Sequence, residues 1–362
     1  MEQKVNVLTT GLFMKSSGIY ISIILTLTVA NSAVCGSRTR NRQRPRSAVS
    51  PRAELSLKDV PFKIVYETYR ETKGRQNWEL YLIKADGSNP TNLTNTPDVD
   101  EMYPHVSPDG TKICFVTDKG AGRRKVRSVY YMKIDGTERF KVAENARQPC
   151  WSFDGKKIAY LPGEFERYNA RPYATSGLTI YDLQAGSHTQ HPNKSLQHIY
   201  ALCWSPNGNW FTAAVQGGMG YSDAILAFEA NGTKVFDLGW WGVKGCRPDF
   251  NIEGNKMVWG ETDWNLRLGD IDLSGPTPRV TNIRQVVECL RQSKVYHVDF
   301  SPDGQYIAFS YGPFNGAQQV GGKARGWDIC VSDMSGNWVK ITTDGKHNKN
   351  PDWVPISQKT TD

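Results

Sequence analysis

One short phrase recurs along the chain: an apolar or aromatic anchor, a Ser-Pro-Asp-Gly-like turn, then a β-rich run. It reads Val106-Ser107-Pro108-Asp109-Gly110 before Ile113-Cys114-Phe115, and Trp151-Ser152-Phe153-Asp154-Gly155 before Ile158-Ala159-Tyr160. It continues as Trp204-Ser205-Pro206-Asn207-Gly208, the weaker Phe250-Asn251-Ile252-Glu253-Gly254, and Phe300-Ser301-Pro302-Asp303-Gly304 before Ile307-Ala308-Phe309. A last anchor, Trp353-Val354-Pro355, arrives close to the C-terminus, and the anchors are spaced 45, 53, 46, 50 and 53 residues apart. Each copy has a physical reason. Pro sets φ for a turn, and Asp-Gly or Asn-Gly supplies the positive φ of a tight hairpin. A second hairpin signal follows in most copies: Ala85-Asp86-Gly87, Ile134-Asp135-Gly136, Ala230-Asn231-Gly232 and Met334-Ser335-Gly336. The flanking runs, such as Leu80-Tyr81-Leu82 and Val129-Tyr130-Tyr131-Met132, are short and β-branched or aromatic, and no helical period is sustained.

This period suits one four-stranded blade per repeat. The expected fold is all-β, a six-bladed β-propeller. Its ends fit together: Trp353 has no strands after it, whereas the runs at 62–66 and 79–93 have no anchor before them. Pairing the C-terminal strand with the N-terminal strands closes the ring and removes an open sheet edge, which would otherwise be an aggregation hazard. The expected division is 1–35 signal peptide, 36–58 basic disordered linker, 59–356 propeller and 357–362 tail.

The anchor and Ser-Pro-Asp-Gly repeats, with Asn92-Leu93-Thr94 and Lys340-Ile341-Thr342-Thr343 as outer strands, resemble the TolB-like (WD40-like, PD40) propeller repeats over about residues 62–356. The resemblance implies a periplasmic propeller that binds protein partners. TolB carries an α/β domain ahead of its propeller. Here a basic linker stands in that place, a departure that argues against a Tol–Pal role.

Charge is concentrated at the N-terminus. Of 44 Lys and Arg, nine lie in residues 1–58, with only Glu2 and Glu54 of the 36 acids; the remainder is close to neutral. A sequence pI of about 9.0 therefore reflects the leader and not a nucleic-acid-binding surface. Lys15, the apolar run 19–30 and the small residues Asn31-Ser32-Ala33 read as a secretion signal. The competing reading, an uncleaved anchor, needs about 20 apolar residues. Met14-Lys15-Ser16-Ser17 reads as a more natural signal start than Met1. Val34 before Cys35 makes a poor lipidation site. The protein is expected to be periplasmic or secreted, monomeric and without a membrane span in its mature form. Its seven cysteines show no CxxC pair or metal spacing and are expected as buried thiols.

No hydrolase, zinc-protease or P-loop motif is present, and no cofactor is expected. His188-x-x-His191 is expected at the surface. Aligning the repeats places His105, Cys150, Cys203, Asp249, Asp299 and Asp352 one residue before each anchor. Tyr103, Gln148, Ala201, Arg247, His297 and Asn350 stand three residues before it. Both sets should line the central channel. His105, Asp249, Asp299 and Asp352 are conceivable metal ligands, although satisfying backbone groups along a wet channel is the preferred role. The loops after each second strand should share one face. They supply the expected binding residues Tyr69, Arg75, Trp78, Arg124, Arg167, Tyr168, Arg171, Tyr221, Trp264, Phe314, Arg325 and Trp327, joined by Arg247 and His297. Aromatic faces and Arg forks suit sugars, carboxylates and sulfates, and equally a protein interface. The expected function is non-catalytic binding of an envelope protein or anionic polysaccharide. The alternative is a lyase or hydrolase acting on uronate-containing glycans, with Arg247 neutralising a carboxylate and His297 or His105 as base.

Overall fold

The computed structural model describes residues 55–162 and 175–356. These form six antiparallel four-stranded sheets. Blade 1 takes Lys349–Val354 as its inner strand, followed outward by Lys63–Thr72, Arg75–Lys84 and Thr91–Asn92. Blade 2 is Val99–Val106, Lys112–Lys119, Val126–Lys133 and Phe140–Glu144. Blade 3 is Ala146–Trp151, Lys157–Pro162, Thr179–Asp182 and Ser187–Gln190. Blade 4 is Ile199–Trp204, Trp210–Gly218, Tyr221–Glu229 and Val235–Asp237. Blade 5 is Cys246–Phe250, Lys256–Thr262, Asn265–Asp272 and Arg279–Glu288. Blade 6 is Ser293–Phe300, Tyr306–Pro313, Asp328–Asp333 and Trp338–Lys340.

The expected closure is present. The C-terminal strand pairs antiparallel with the first N-terminal strand, Ile64 opposite Trp353 and Val65 opposite Asp352. Packing begins a little earlier than the expected boundary at 59, because Leu57 is only 4% exposed and packs with Ile64 and Trp353. The signal, most of the linker and the tail lie outside the described residues.

Alternation along each strand explains the core. Ile113 and Phe115 pack toward blade 1, while Cys114 between them packs toward blade 3. Similar clusters join blades 3 to 4, 4 to 5, 5 to 6 and 6 to 1. Both faces of each sheet are therefore buried, which is why the strands read as nearly continuous apolar runs. Cys114, Cys150, Cys203 and Cys330 are buried in this packing.

The Ser-Pro-Asp-Gly turn works the same way in four blades. The Ser hydroxyl donates to the Asp or Asn side chain (Ser107 to Asp109, 2.6 Å; Ser205 to Asn207, 2.8 Å). It accepts the N–H five residues on (Lys112, Lys157, Trp210 and Tyr306). In blade 5, Asn251 replaces the Ser, and its Oδ1 takes the Lys256 N–H at 2.8 Å. Gly110 sits at φ +68, where a Cβ would also meet the Pro355 carbonyl at 2.5 Å.

Candidate functional site: the channel mouth and loop face

Each inner strand is interrupted just before its anchor by a register shift, as between Met102 and His105 or Cys246 and Asp249. The residue three before the anchor is left-handed in all six blades: Tyr103 (φ 53), Gln148 (50), Ala201 (50), Arg247 (56), His297 (56) and Asn350 (48). None of the six is β-branched, consistent with the steric cost of that region. These bulges turn backbone N–H groups away from the ladder and leave them to side chains. Tyr103 N–H donates to Glu67 Oε2 (2.7 Å), Ala201 N–H to Gln148 Oε1, and Asn350 N–H to Ser310 Oγ (3.1 Å).

The residues one before the anchors form the channel waist, and most of them line both the space above and the space below it. Here the acids bind the next blade. Asp249 accepts the Phe300 N–H at 2.8 Å, Asp299 the Trp353 N–H at 2.8 Å, and Asp352 the Val106 N–H at 3.3 Å. Cys203 Sγ donates to Asp249 Oδ1 at 3.4 Å. Burial pushes the Asp249 carboxyl up to about 6. It raises Asp299 and Asp352 well above the usual carboxylate range, helped by repulsion from Asp352 and Asp249 on Asp299 and from Asp249 on Asp352. Burial lowers His105 to about 4. In these contacts the acids serve as backbone acceptors between blades; among the described residues no three His, Cys, Asp or Glu side chains converge.

Toward the loop face the channel opens into a cavity of about 70 Å³ bordered by Tyr103, Arg247, His297 and Asn350. The Arg247 guanidinium lies 5.5 Å from the Tyr200 ring centre and 5.0 Å from that of Tyr296, within cation–π range. Asn350 is 6% exposed and its amide Nδ2 has no hydrogen-bond partner among the described residues. His297 Nε2 lies 2.9 Å from the Gln318 carbonyl, which only accepts, so Nε2 carries the proton. Nδ1 then accepts from Ser310 Oγ at 3.0 Å. Burial, together with the nearby Arg247 and Lys349 charges, holds the His297 pKa well below its ordinary value. Both nitrogens of this imidazole are engaged. Tyr200, Tyr296 and Asn350 were outside the sequence-derived binding set; four and three residues before their anchors, they differ in type from blade to blade and leave no repeated signal.

The loop face differs from the expected run of open loops. In blade 1, Tyr69, Arg75 and Trp78 belong to strands joined by a tight turn at Lys73-Gly74. Trp78 is 2% exposed and packs on Tyr69 and His347, so it supports the face from beneath. Trp327 is fully buried, its Nε1–H donating to the Pro313 carbonyl at 3.0 Å. Gly312 and Gly316 make room for it; a Cβ at either would meet the indole at about 2 Å. Phe314 is 56% exposed, and Arg75, Arg124 and Arg325 are exposed. Aromatic and basic residues pair with each other: Lys323 over Tyr69, Arg291 over Trp264 and Lys294 over Phe314. Arg75 pairs with Asp98, and Tyr221 is half-buried at its turn. Arg167, Tyr168 and Arg171 lie outside the described residues. Elsewhere, His188 is exposed as expected, but His191 is 2% exposed, with Nε2 on the Glu229 carbonyl at 2.8 Å. The apolar core draws it inward because both nitrogens find backbone partners there.

Residues 187–219 match the family model "WD domain, G-beta repeat". No curated protein matches the sequence significantly. Among solved structures, TolB from Acinetobacter baumannii is similar with a TM-score of 0.58 at 17% identity, over 82% of this chain and 67% of that one. A candidate TolB from Agrobacterium tumefaciens gives 0.52 at 14%, over 82% and 99%. Kuenenia stuttgartiensis hydrazine synthase gives 0.57 at 14%, over 81% and 46%. These identities reach the fold alone: the chain is a six-bladed β-propeller, similar in fold to the two TolB structures.

Proposed function

We propose that this is an exported, non-catalytic binding propeller that takes an anionic group of its partner, an acidic polysaccharide or an envelope protein, at the loop-face mouth of the channel. The arrangement that carries this reading is Arg247 between Tyr200 and Tyr296, beside the unpartnered amide of Asn350. A guanidinium fixed by two rings is organised to meet a carboxylate or sulfate, and the amide offers a further donor. Exposed Phe314, Arg325 and Arg124 on the same face supply a wider contact surface.

The lyase reading needs a base beside Arg247. His297 lines the same cavity, but its lone pair already accepts from Ser310 and its N–H is held by a loop carbonyl. His105, lowered to about 4, is a weak base. Co-migration of the full chain with uronate-containing or sulfated polysaccharides on size-exclusion chromatography, with acidic peptides as a second arm, tests the proposal. Arg247→Ala is expected to weaken the retained partner at least about tenfold, the scale of losing a charge-assisted contact. Shortening of a polymer, abolished by Arg247→Ala or His297→Ala, would establish catalysis instead.

A further inference from the structure

Blade 2 carries a second cavity, of about 530 Å³, on the flank that faces the outer part of blade 1. Its size is within the roughly 300–1,000 Å³ of small-ligand sites. At its floor lies Glu101, fully buried. Glu101 Oε1 receives Arg139 Nη1 at 2.9 Å and the Thr96 hydroxyl. Oε2 is buried and has no partner among the described residues. Burial pushes this carboxyl up to about 8 despite its ion pair with Arg139. With Oε1 occupied by donors, Oε2 is left as a buried polar atom with nothing to bond among the described residues. Such a group is expensive to leave unmade.

The walls are hydroxylic. Thr117 and Ser128, on adjacent strands, turn toward the cavity and make no side-chain hydrogen bond among the described residues, and Tyr130 lies beside them. The rim is cationic. Lys119 and Arg124 are exposed, with no ion pair among the described residues, whereas Lys141 is held by Glu144 at 2.6 Å. Cations above and hydroxyls at the sides are complementary to a small polyol bearing negative charge.

We propose that this groove binds an anionic sugar unit, a mono- or disaccharide carrying a carboxylate or sulfate, with Lys119 and Arg124 on the charge and Thr117 and Ser128 on its hydroxyls. The proposal does not rest on the channel-mouth reading.

Calorimetric titration of the full chain tests it with a uronate disaccharide, a sulfated disaccharide, a neutral disaccharide and inorganic sulfate. One of the two anionic sugars is expected to bind with a Kd below about 1 mM, the weak end of specific affinities, and the neutral sugar at least about tenfold more weakly. The Lys119→Ser/Arg124→Ser double variant, both sites exposed, should lose about tenfold or more. Ser128→Phe, which fills the groove, should abolish binding while thermal melting confirms a folded chain. No saturable binding of either anionic sugar, equal binding of the neutral sugar, or sulfate matching the sugars would overturn the proposal. So would affinity unchanged in the double variant. Loss on Arg247→Ala with retention in the double variant would place the ligand at the channel mouth, sinking the groove while leaving the first reading intact.

Discussion

The two ends of the central channel are built on opposite plans. At the turn end, four blades repeat one hydrogen-bonded Ser-centred turn and a fifth reproduces it with Asn251. At the loop end, among the described residues, the connections differ in length from blade to blade. Tight turns close the second hairpins at Lys73-Gly74, Met219-Gly220 and Asp263-Trp264, a short 3-10 turn at 122–124 serves blade 2, and a long strap at 314–327 serves blade 6. Repetition at one end specifies the ring; irregularity at the other end is where a propeller can differ from its neighbours. Between them the waist ties blade to blade through Asp249, Asp299 and Asp352, each of which accepts the anchor N–H of the next blade.

The ring is the stronger half of this contrast, and breaking it should cost most. Ending the chain after Asn348 removes the inner strand of blade 1, taking Trp353 and the Asp299 contact with it. It leaves the 63–72 strand as an open edge and uncovers the cluster around Ile64 and Tyr66. Loss of the cooperative unfolding transition is expected by circular dichroism, with a chain ending at Ile356 as reference. A truncated protein that still melts cooperatively near the reference temperature would mean that the blades stand without closure.

This closure was legible because an anchor repeats at a fixed spacing and the count of anchors and strands only balances in a ring. The loop end was not. Tyr69 to Trp78 reads as a loop because its charged residues interrupt the apolar pattern, yet the strands extend until Gly74 turns them, and Trp78 goes under the face. The six left-handed bulges were equally hidden. They fall on Tyr, Gln, Ala, Arg, His and Asn, so their shared signal is an absence of β-branched residues and not a motif. Repeat alignment did bring Arg247, His297 and Asn350 to one ring, but it could not show that both His297 nitrogens are engaged, one by the strand hydroxyl of Ser310 and one by the loop carbonyl of Gln318.

The strap is where the irregular end is fastened to the ring. Lys349, fully buried on the closing strand, donates to the carbonyls of Gln319 (2.8 Å) and Gly322 (2.7 Å) and more weakly to Ala317 (3.3 Å). It pairs with Glu67 Oε1 at 3.3 Å and lies 4.7 Å from the Trp78 ring centre. Lys349→Met keeps the stem but leaves a buried carboxylate without its cation and three carbonyls without their donor. A loss of about 3–5 kcal/mol is expected in denaturant unfolding, with faster proteolysis within 314–327. Adding Glu67→Gln should recover part of the stability, since removing both charges is cheaper than stranding one. A single variant as stable as the parent would mean that the strap holds itself and the two ends of the channel are independent.

The finest test is at the waist, where Asp249 both joins blades and titrates. In the folded chain it keeps its proton up to about 6, above the unfolded carboxylate at 3.8. The stabilisation from that raised value is complete below the unfolded pKa and is lost as pH rises through about 6. Asp249→Asn cannot ionise, yet its Oδ1 can still accept the Phe300 N–H. The variant should therefore match the parent near pH 4 and pull ahead by pH 7, by on the order of 1–3 kcal/mol given the size of the shift and the water-sized cavity beside it. His105, lowered to about 4, acts in the other direction, its contribution falling as pH drops from 6.5. It is common to both proteins and cancels in the difference. A gap that stays constant from pH 4 to pH 7 would show that Asp249 is ionised throughout and stabilised by channel water, making the waist part of the wet mouth and not of the dry ring.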